Sequence, residues 1–235
     1  MDTWIGAWVS GAWKQTNKFK VNSMGSKIII PEGYPFAGNQ LEEVIPPDDL
    51  QNRVREIGRE ISDMYQDKIP ILIGVLNGAF LFMADLVRNL NIEFEIDFIK
   101  IDSYGDETSS SGTVRLIKDI SADITNRHVI VIEDIVDTGL SLTFLKHRME
   151  EASPKSIRFA TCLYKPDVAK HDFTIDWIGF NIDERYFVGY GLDLKQIFRG
   201  LPGIYAVNKN NGEIRRKRRK KILSRISGKP WEGIY

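Results

Sequence analysis

The residues best suited to binding or catalysis lie in one stretch, 129–141. There an apolar run leads into two adjacent carboxylates and then a glycine turn. The carboxylates are Glu133 and Asp134, and the turn that follows contains Asp137, Thr138, Gly139, Leu140 and Ser141. Glycine lets the backbone approach a ligand closely, hydroxyl groups add donors, and a helix N-terminus offers unpaired N–H groups. This combination favours binding of a monophosphate group. The stretch lacks the glycine spacing and the lysine of a Walker loop.

The two carboxylates need a partner other than the phosphate, because like charges repel each other. Sugar hydroxyls or a metal ion would serve, and Mg²⁺ is commonly held by one or two carboxylates together with substrate phosphates. A phosphorylated sugar bound with Mg²⁺ therefore fits the stretch. Two adjacent acids alone are more often a solvated turn, so this interpretation depends on the complete pattern.

The elements that must position these residues alternate between apolar strands and amphipathic helices, and we expect regular structure to begin near Pro47. Apolar residues at spacings of three and four predict helices over 48–64, 79–90 and 142–149. Apolar runs predict strands over 69–76, 94–101, 128–132, 157–163, 177–180, 187–190 and 204–207. The alternation predicts an α/β fold with a central, mostly parallel sheet flanked by helices. The Gly-, Ser- and Thr-rich segment 102–113 is expected to be a long loop.

Composition and charge exclude several other classes of protein. The single cysteine, Cys162, excludes an internal disulfide and favours a reducing, cytoplasmic setting. The sequence contains no Cys/His cluster for structural zinc, and no apolar stretch is long enough to span a bilayer. The net charge of +0 is the sum of a body at −8 and a segment, 215–235, at +8.

Two terminal segments depart from this pattern. Residues 1–27 contain three of the five tryptophans and are expected to form a poorly ordered extension. Residues 214–235 form a basic tail in which positions 215–221 are all Arg or Lys. Such a charge run is usually solvated, and binding of nucleic acid through it is the less favoured alternative.

The stretch 129–141 resembles the phosphoribosyl-pyrophosphate (PRPP) signature of the type I phosphoribosyltransferases. Other motifs resemble the hypoxanthine-guanine (6-oxopurine) members of that family, namely Val75-Leu76-Asn77-Gly78-Ala79, Ser103-Tyr104-Gly105, Leu163-Tyr164-Lys165, Val188-Gly189-Tyr190-Gly191-Leu192-Asp193 and Ile197-Phe198-Arg199. The similarity covers roughly residues 40–210. It implies the type I phosphoribosyltransferase fold with a small hood, in a domain over 28–213, and a homo-oligomer that is a dimer or a tetramer.

The resemblance implies a purine salvage enzyme that transfers the 5-phosphoribosyl group from PRPP to N9 of hypoxanthine or guanine. The products would be IMP or GMP and pyrophosphate, with Mg²⁺ as the cofactor. Glu133 and Asp134 would face the ribose hydroxyls and a bound Mg²⁺, and Asp193 would lie near a second one. The family's PRPP contacts match Asp137, Thr138, Gly139, Leu140 and Ser141. Its pyrophosphate contacts match Asn77, Gly78 and Arg199, at a turn that often contains a non-proline cis peptide.

The resemblance also assigns the purine-binding side chains. Asp137 would exchange a proton at N7 as general base or acid, and Lys165 would donate to the 6-oxo group and so reject aminopurines. Tyr186 would stack on the purine, the Phe187 backbone would read the base edge, and Asp193 would complete the base site. Many members carry Phe at the stacking position, so the ring has an additional hydroxyl here. We expect stacking to survive this change.

The remaining matches are to a lid and to the pyrophosphate turn. Ser103 and Tyr104 match a lid that closes over PRPP and excludes water. Asn77 replaces a lysine found in some members, and Asn is also a good helix N-cap, which is the alternative role at that position.

Two other functions stay open at this point. One is a non-enzymatic regulator that senses PRPP or nucleotides and binds nucleic acid through the basic tail. The other is a transferase for another base. Retention of Asp137, Lys165 and Arg199 favours the 6-oxopurine transferase over the regulator. Lys165 alone would more often be a solvated lysine at a strand end, and a surface salt bridge is the less favoured alternative for Arg199. The hood motifs favour a 6-oxopurine over other bases.

Overall fold

The computed structural model describes residues 21–22, 27–30, 32–34, 36–104 and 113–208. These residues divide between two compact units, one comprising Val44–Tyr205 and the other the described residues on either side of it. The basic tail over 214–235 lies outside the described residues, as does most of the N-terminal segment 1–27. The domain boundaries stay predictions.

The smaller unit begins with short antiparallel strands. β1 (Val21–Asn22) pairs with β2 (Lys27–Ile29), and β2 pairs with β3 (Gln40–Ile45), whose last residues belong to the larger unit. Regular structure therefore starts before Pro47, the position at which it was predicted to begin. β1 and β2 are too short for apolar alternation to be recognised in the sequence.

A six-stranded sheet lies at the centre of the larger unit. Its strands are β4 (Ile71–Leu76), β5 (Glu95–Tyr104), β6 (Thr113–Lys118), β7 (His128–Val136), β8 (Ser156–Tyr164) and β9 (Trp177–Asn181). Their order is β6-β5-β4-β7-β8-β9, and each neighbouring pair is parallel except β5 and β6. Two shorter strands follow in the chain, β10 (Phe187–Val188) and β11 (Ile204–Asn208).

The described helices follow the apolar spacing of their sequences. They are α1 (Pro47–Met64), α2 (Phe80–Val87) and α3 (Leu140–Glu150). Pro47 suits the first helical position of α1, and Asp48 and Asp49 lie in its first turn, where the helix dipole favours acids. None of the described helices combines the length and the apolar character needed to cross a membrane.

Alternate residues of the central strands face different helices. Ile73 and Val75 of β4 belong to a buried cluster that includes Leu145 of α3. Gly74, between them, faces the other way, where a side chain would contact Met83 of α2. β4 is therefore covered on both faces, which explains its continuous apolar sequence. The predicted α/β class, with a mostly parallel sheet flanked by helices, is confirmed.

The strand order reverses between β4 and β7. From β4 the chain moves outward to β5 and β6, and it then returns to the other side of β4 with β7, β8 and β9. Open α/β sheets bind ligands at the carboxyl ends of their strands at such a switch point. The carboxyl end of β4 leads into Asn77-Gly78 and that of β7 into the glycine turn, so two predicted motifs share one edge of the sheet.

Two element boundaries differ from the sequence prediction near this edge. β7 continues through Val136, so Glu133 and Asp134 lie within the strand and not after it. The predicted loop 102–113 is also too long, because its two ends belong to β5 and β6, with Ser103 paired to Val114. Backbone pairing between distant segments is not visible in local composition, and β6 was accordingly missed.

Candidate active site

The turn after β7 is built around Gly139, which immediately precedes α3. Its φ of 85° lies in the left-handed region, and a side chain there would press on the carbonyl oxygen of Lys170. Thr138 Oγ1 accepts a hydrogen bond from Leu140 N at 3.5 Å, and Thr143 Oγ1 donates to Gly139 O at 3.0 Å. The first N–H groups of a helix have no intrahelical partner, so this turn presents donors and the positive end of a helix dipole.

Glu133 and Asp134 differ sharply from ordinary surface acids. Glu133 is 8% exposed, and its buried Oε2 atom has no hydrogen-bond partner. Burial, reinforced by the neighbouring charge of Asp134, raises the pKa of Glu133 well above its ordinary value. Burial also raises the pKa of Asp134, although hydrogen bonds from Glu133 and from the backbone N–H of Ile135 and the charge of Arg199 act in the opposite direction. The two carboxyl groups therefore lack a group, such as a cation, that would stabilise them when both are ionised.

The pyrophosphate turn predicted at Asn77-Gly78 packs directly against this carboxylate pair. The Leu76–Asn77 peptide bond is cis. A Cβ atom on Gly78 would collide with the Asp134 carboxylate, and one on Gly191 would collide with the carbonyl oxygen of Gly78. Only glycine allows these two close approaches. The N-cap of α2 is Ala79, with no side-chain cap, so the alternative role of Asn77 as helix N-cap is wrong.

Arg199 lies within a compact network on the loop that follows β10. Its Nη2 atom is 2.7 Å from Asp193 Oδ1 and donates to Gln196 Oε1 at 2.9 Å, and its Nη1 atom donates to Gly191 O at 2.6 Å. The side chains of Arg199 and Asp193 are 20% and 24% exposed. Arg199 is therefore a partly buried, oriented guanidinium and not a solvated surface residue.

The predicted base-binding residues form two groups. Lys165 is 7% exposed, and its Nζ atom lies 2.9 Å from Asp137 Oδ2, so the two residues assigned to adjacent positions of the purine contact each other. Tyr186 is 54% exposed, and its hydroxyl donates to Asp193 O at 3.0 Å. Phe187 is buried, with the Arg185 guanidinium 5.8 Å from its ring centroid.

The backbone of the two predicted lid residues is part of the sheet. Ser103 and Tyr104 end β5, and Tyr104 pairs with Thr113 at the start of β6. Residues 105–112, which complete the predicted lid, lie outside the described residues. The lid role of Ser103 and Tyr104 stays a prediction.

Two structural features near this edge were not predicted from the sequence, one at Tyr190 and one at Cys162. The hydroxyl of Tyr190 donates to Asp85 Oδ2 at 2.8 Å, which links the loop after β10 to α2. No local signal marks this contact, because the two residues are 105 positions apart. Cys162 is also buried, and burial together with the charge of Asp134 raises the pKa of its thiol.

The chemistry of the carboxylates fits a magnesium ion that is held jointly with substrate. Mg²⁺ prefers oxygen ligands and commonly takes one or two carboxylates together with substrate phosphates. The unpartnered Oε2 of Glu133 and the adjacent Asp134 supply such oxygens. Within the described ranges there is no group of three acidic, His or Cys residues that could bind a metal by themselves.

Residues 48–195 match the phosphoribosyl transferase domain family. The chain is 41% identical over 167 residues to a hypoxanthine-guanine phosphoribosyltransferase of Bacillus subtilis, covering 71% of this chain and 93% of the relative. It is also 36% identical over 171 residues to an enzyme of the same name from Aquifex aeolicus, covering 72% and 96% of the two chains.

Solved structures give the same result. A hypoxanthine-guanine phosphoribosyltransferase from Bacillus anthracis superposes with a TM-score of 0.68 at 41% identity, covering 71% of this chain and 98% of that one. A hypoxanthine phosphoribosyltransferase from Staphylococcus aureus has a TM-score of 0.68 at 34% identity, covering 71% and 91% of the two chains.

Proposed function

This chain belongs to the phosphoribosyltransferase family, and on that premise we propose how the edge of the sheet at β4 and β7 performs the reaction of a hypoxanthine-guanine phosphoribosyltransferase. The enzyme serves purine salvage by transferring the 5-phosphoribosyl group to hypoxanthine or guanine. The observation that carries the assignment of the site is the pair formed by the buried Glu133 and the partly buried Asp134, which lies between the glycine turn and Gly78. The alternative of a non-enzymatic regulator receives no support from these relatives.

PRPP would bind with its 5′-phosphate at the turn before α3. Thr138, Gly139, Leu140 and Ser141 would supply backbone N–H groups and hydroxyls, aided by the helix dipole. Glu133 and Asp134 would then face the ribose hydroxyls, which can donate hydrogen bonds to carboxylates. This arrangement separates the anionic phosphate from the anionic side chains along the length of one substrate.

Mg²⁺ would be held by Glu133 and Asp134 on the ribose side, with Asp193 near a second ion. When bound, the metal neutralises charge that develops on the departing pyrophosphate. The backbone of Asn77-Gly78 and the guanidinium of Arg199 would bind the same leaving group, and the forked geometry of arginine suits phosphate oxygens.

The Lys165–Asp137 pair supports recognition of a 6-oxopurine. N7 and O6 are neighbouring atoms on one edge of such a base, and two groups 2.9 Å apart can address both of them. Lys165 would donate to O6 while Asp137 accepts the proton from N7 as N9 attacks C1′ of the ribose. An adenine amino group would present hydrogens to the Lys165 ammonium and leave the N–H directed at position 6 without an acceptor. Tyr186 would stack on the ring.

Nucleotide formation by the full chain tests this proposal directly. The protein is mixed with Mg²⁺, PRPP and one of hypoxanthine, guanine, xanthine or adenine, and nucleotide and pyrophosphate are measured. We expect IMP and GMP, and no product from adenine. Absence of turnover with every 6-oxopurine would refute the proposed reaction.

Lys165→Met tests the assignment of the base edge. Methionine preserves the length of the side chain but removes the ammonium donor. We expect the preference for hypoxanthine over adenine, measured as the ratio of kcat/KM values, to fall by about tenfold or more. An unchanged ratio would contradict the role of Lys165. A cytoplasmic location and assembly as a homo-oligomer are further parts of the proposal, which gel filtration with light scattering tests for the oligomer.

A further inference from the structure

The buried contact between Tyr190 and Asp85 joins two parts of the site that bind the same leaving group. Tyr190 is 4% exposed, and its hydroxyl donates to Asp85 Oδ2 at 2.8 Å. Gln51 of α1 donates to the same carboxylate oxygen at 2.6 Å, so Asp85 is fixed from a second side. Burial and the neighbouring Asp85 charge raise the pKa of Tyr190, which keeps its hydroxyl protonated as the donor.

The backbone around Tyr190 requires such an anchor. Gly189, Tyr190 and Gly191 have φ values of 98°, 48° and 100°, all in the left-handed region. Glycine adopts this region readily, but a bulky residue does so only where its surroundings hold it there. Two hydrogen bonds hold Tyr190 in this conformation. One is the contact of its hydroxyl with Asp85, and the other runs from Tyr190 N to Leu201 O at 2.8 Å.

One end of the contact carries the arginine of the leaving-group site. Gly191, directly after Tyr190, accepts Arg199 Nη1 at 2.6 Å and donates from its N–H to Arg199 O at 2.9 Å. Asp193, two residues further on, is paired with the same guanidinium at 2.7 Å. The conformation of residues 189–193 therefore fixes where the guanidinium points.

The other end carries the pyrophosphate turn. Asp85 lies on α2, which begins at Phe80, two residues after Gly78 of the Asn77-Gly78 turn. The carbonyl of Gly78 is also the group against which Gly191 packs. A shift of residues 189–191 would consequently change the separation between the backbone N–H groups of this turn and the Arg199 guanidinium.

We propose that Tyr190 and Asp85 are positioning residues, which set the distance between the Asn77-Gly78 turn and Arg199 and thereby determine affinity for pyrophosphate and for the diphosphate of PRPP. Neither residue is among those assigned to contact substrate, and the inference rests on the proposed leaving-group site. The predicted signature is selective, because a change in this distance affects diphosphate groups and leaves the Lys165–Asp137 pair in place.

The test compares Tyr190→Phe with the wild type in both reaction directions. Phenylalanine retains the buried ring, and Asp85 keeps its contacts with Gln51 and with Arg88, 3.4 Å away. We expect the KM values for PRPP and, in the reverse reaction with IMP, for pyrophosphate to rise by about tenfold, as for loss of one charge-assisted hydrogen bond. The KM for hypoxanthine should stay within about twofold.

Asp85→Asn provides a second variant, and Tyr65→Phe provides a matched control. Asn retains a weaker acceptor for Tyr190, so its effect should be smaller but of the same selectivity. Tyr65 is equally buried, at 2% exposure, but lies beside His128 at the other end of the sheet. Its replacement should lower thermal stability at most, with every KM unchanged.

The outcomes separate this inference from the proposed function. A wild type without turnover refutes the function. An active wild type with an unchanged pyrophosphate KM in Tyr190→Phe and Asp85→Asn refutes the positioning role. Equal increases in the KM values for base and pyrophosphate also refute it, because they indicate general loosening of the fold.

Discussion

The two ends of the central sheet both carry acidic side chains with little solvent exposure, but they differ in how those side chains are paired. At the amino end, Asp176 pairs with Arg158 and accepts the backbone N–H of Phe159 at 2.9 Å. His128 Nδ1 lies 2.7 Å from Ser156 Oγ, whereas its buried Nε2 atom has no hydrogen-bond partner. At the carboxyl end, the buried carboxyl group of Glu133 lies beside that of the partly buried Asp134, and Glu133 Oε2 has no hydrogen-bond partner.

The carboxyl end of the sheet therefore carries carboxyl groups that a bound ligand could stabilise. Glu133 has a buried oxygen without a partner, and the pKa of its carboxyl group is raised by burial and by the charge of Asp134. A cation or a set of hydroxyl donors would stabilise this arrangement. The comparison teaches that incomplete pairing of buried charge, more than the presence of charge, distinguishes a binding site from a structural network.

Among substitutions at the two ends of the sheet, the largest expected effect is a loss of turnover at the carboxyl end. Asp137→Asn removes the carboxylate that would accept the N7 proton, so kcat should fall by about 100-fold or more, with the KM for PRPP changed by less than about threefold. Steady-state kinetics measure both values. Unchanged turnover would remove Asp137 from the mechanism.

Asp176→Asn is the matched control, because it makes the same chemical change at the amino end. It weakens the contact with Arg158, so we expect the free energy of unfolding to fall by about 1–2 kcal/mol. Its kcat should equal that of the wild type. A loss of turnover in this variant would show that the two ends are not functionally separate.

The effect expected at Glu133 is on stability, and it should be a gain where Asp176→Asn gives a loss. Glu133→Gln replaces a buried carboxyl group, whose ionisation is disfavoured, with a neutral amide, so in metal-free buffer at pH 7.5 the free energy of unfolding should rise by about 1 kcal/mol, while kcat/KM for PRPP falls. Because the folded-state pKa is raised, the wild-type carboxyl favours folding at low pH and loses that contribution as the pH rises.

Urea unfolding across pH measures this difference. The gain from Glu133→Gln should be absent near the ordinary glutamate pKa of about 4.5 and should grow as the pH is raised. Glu150→Gln, in an exposed pair with Lys146, should change stability by less than about 0.5 kcal/mol at any pH. A destabilised Glu133→Gln protein would contradict the argument.

The smallest expected effect is a loss of stability at acid pH that arises from His128, at the amino end of the sheet. Burial lowers the pKa of His128, and the charges of Lys155, Lys68 and Arg158 lower it further. A depressed folded-state pKa means that the unfolded chain binds the proton more readily. Stability should therefore decrease as the pH falls below about 6.5, the ordinary histidine pKa.

His128→Gln should reduce this acid sensitivity, whereas His147→Gln, on the exposed surface of α3, should leave it unchanged. Unfolding midpoints in urea at pH 7.5 and pH 5.5 provide the measurement. Equal acid sensitivity in wild type and His128→Gln would assign the effect to other groups.

The sequence predicted those features that depend on local pattern. The strand, acidic pair and glycine turn over 129–141 could be recognised because apolar runs and a left-handed glycine leave local signals. The contact of Gly78 with Asp134 was not predicted, although it agrees with a general property of parallel sheets, in which neighbouring carboxyl ends share an edge.

Features that depend on contacts between distant segments could not be predicted in this way. β6 is defined by its pairing with β5, and the continuation of β7 through Glu133 by its pairing with β8. The Lys165–Asp137 and Tyr190–Asp85 contacts join residues 28 and 105 positions apart. Residues so far apart in the sequence come into contact only when the chain is folded.

The burial of Cys162 has a practical consequence for labelling. It is the only cysteine in the chain, and its raised thiol pKa leaves little of the thiolate that reacts with maleimides. The folded protein should consequently be almost inert to such reagents. A cysteine introduced at the exposed position Glu93 would then be the single reactive thiol, which allows a fluorophore to be attached at one chosen place without first removing a native residue.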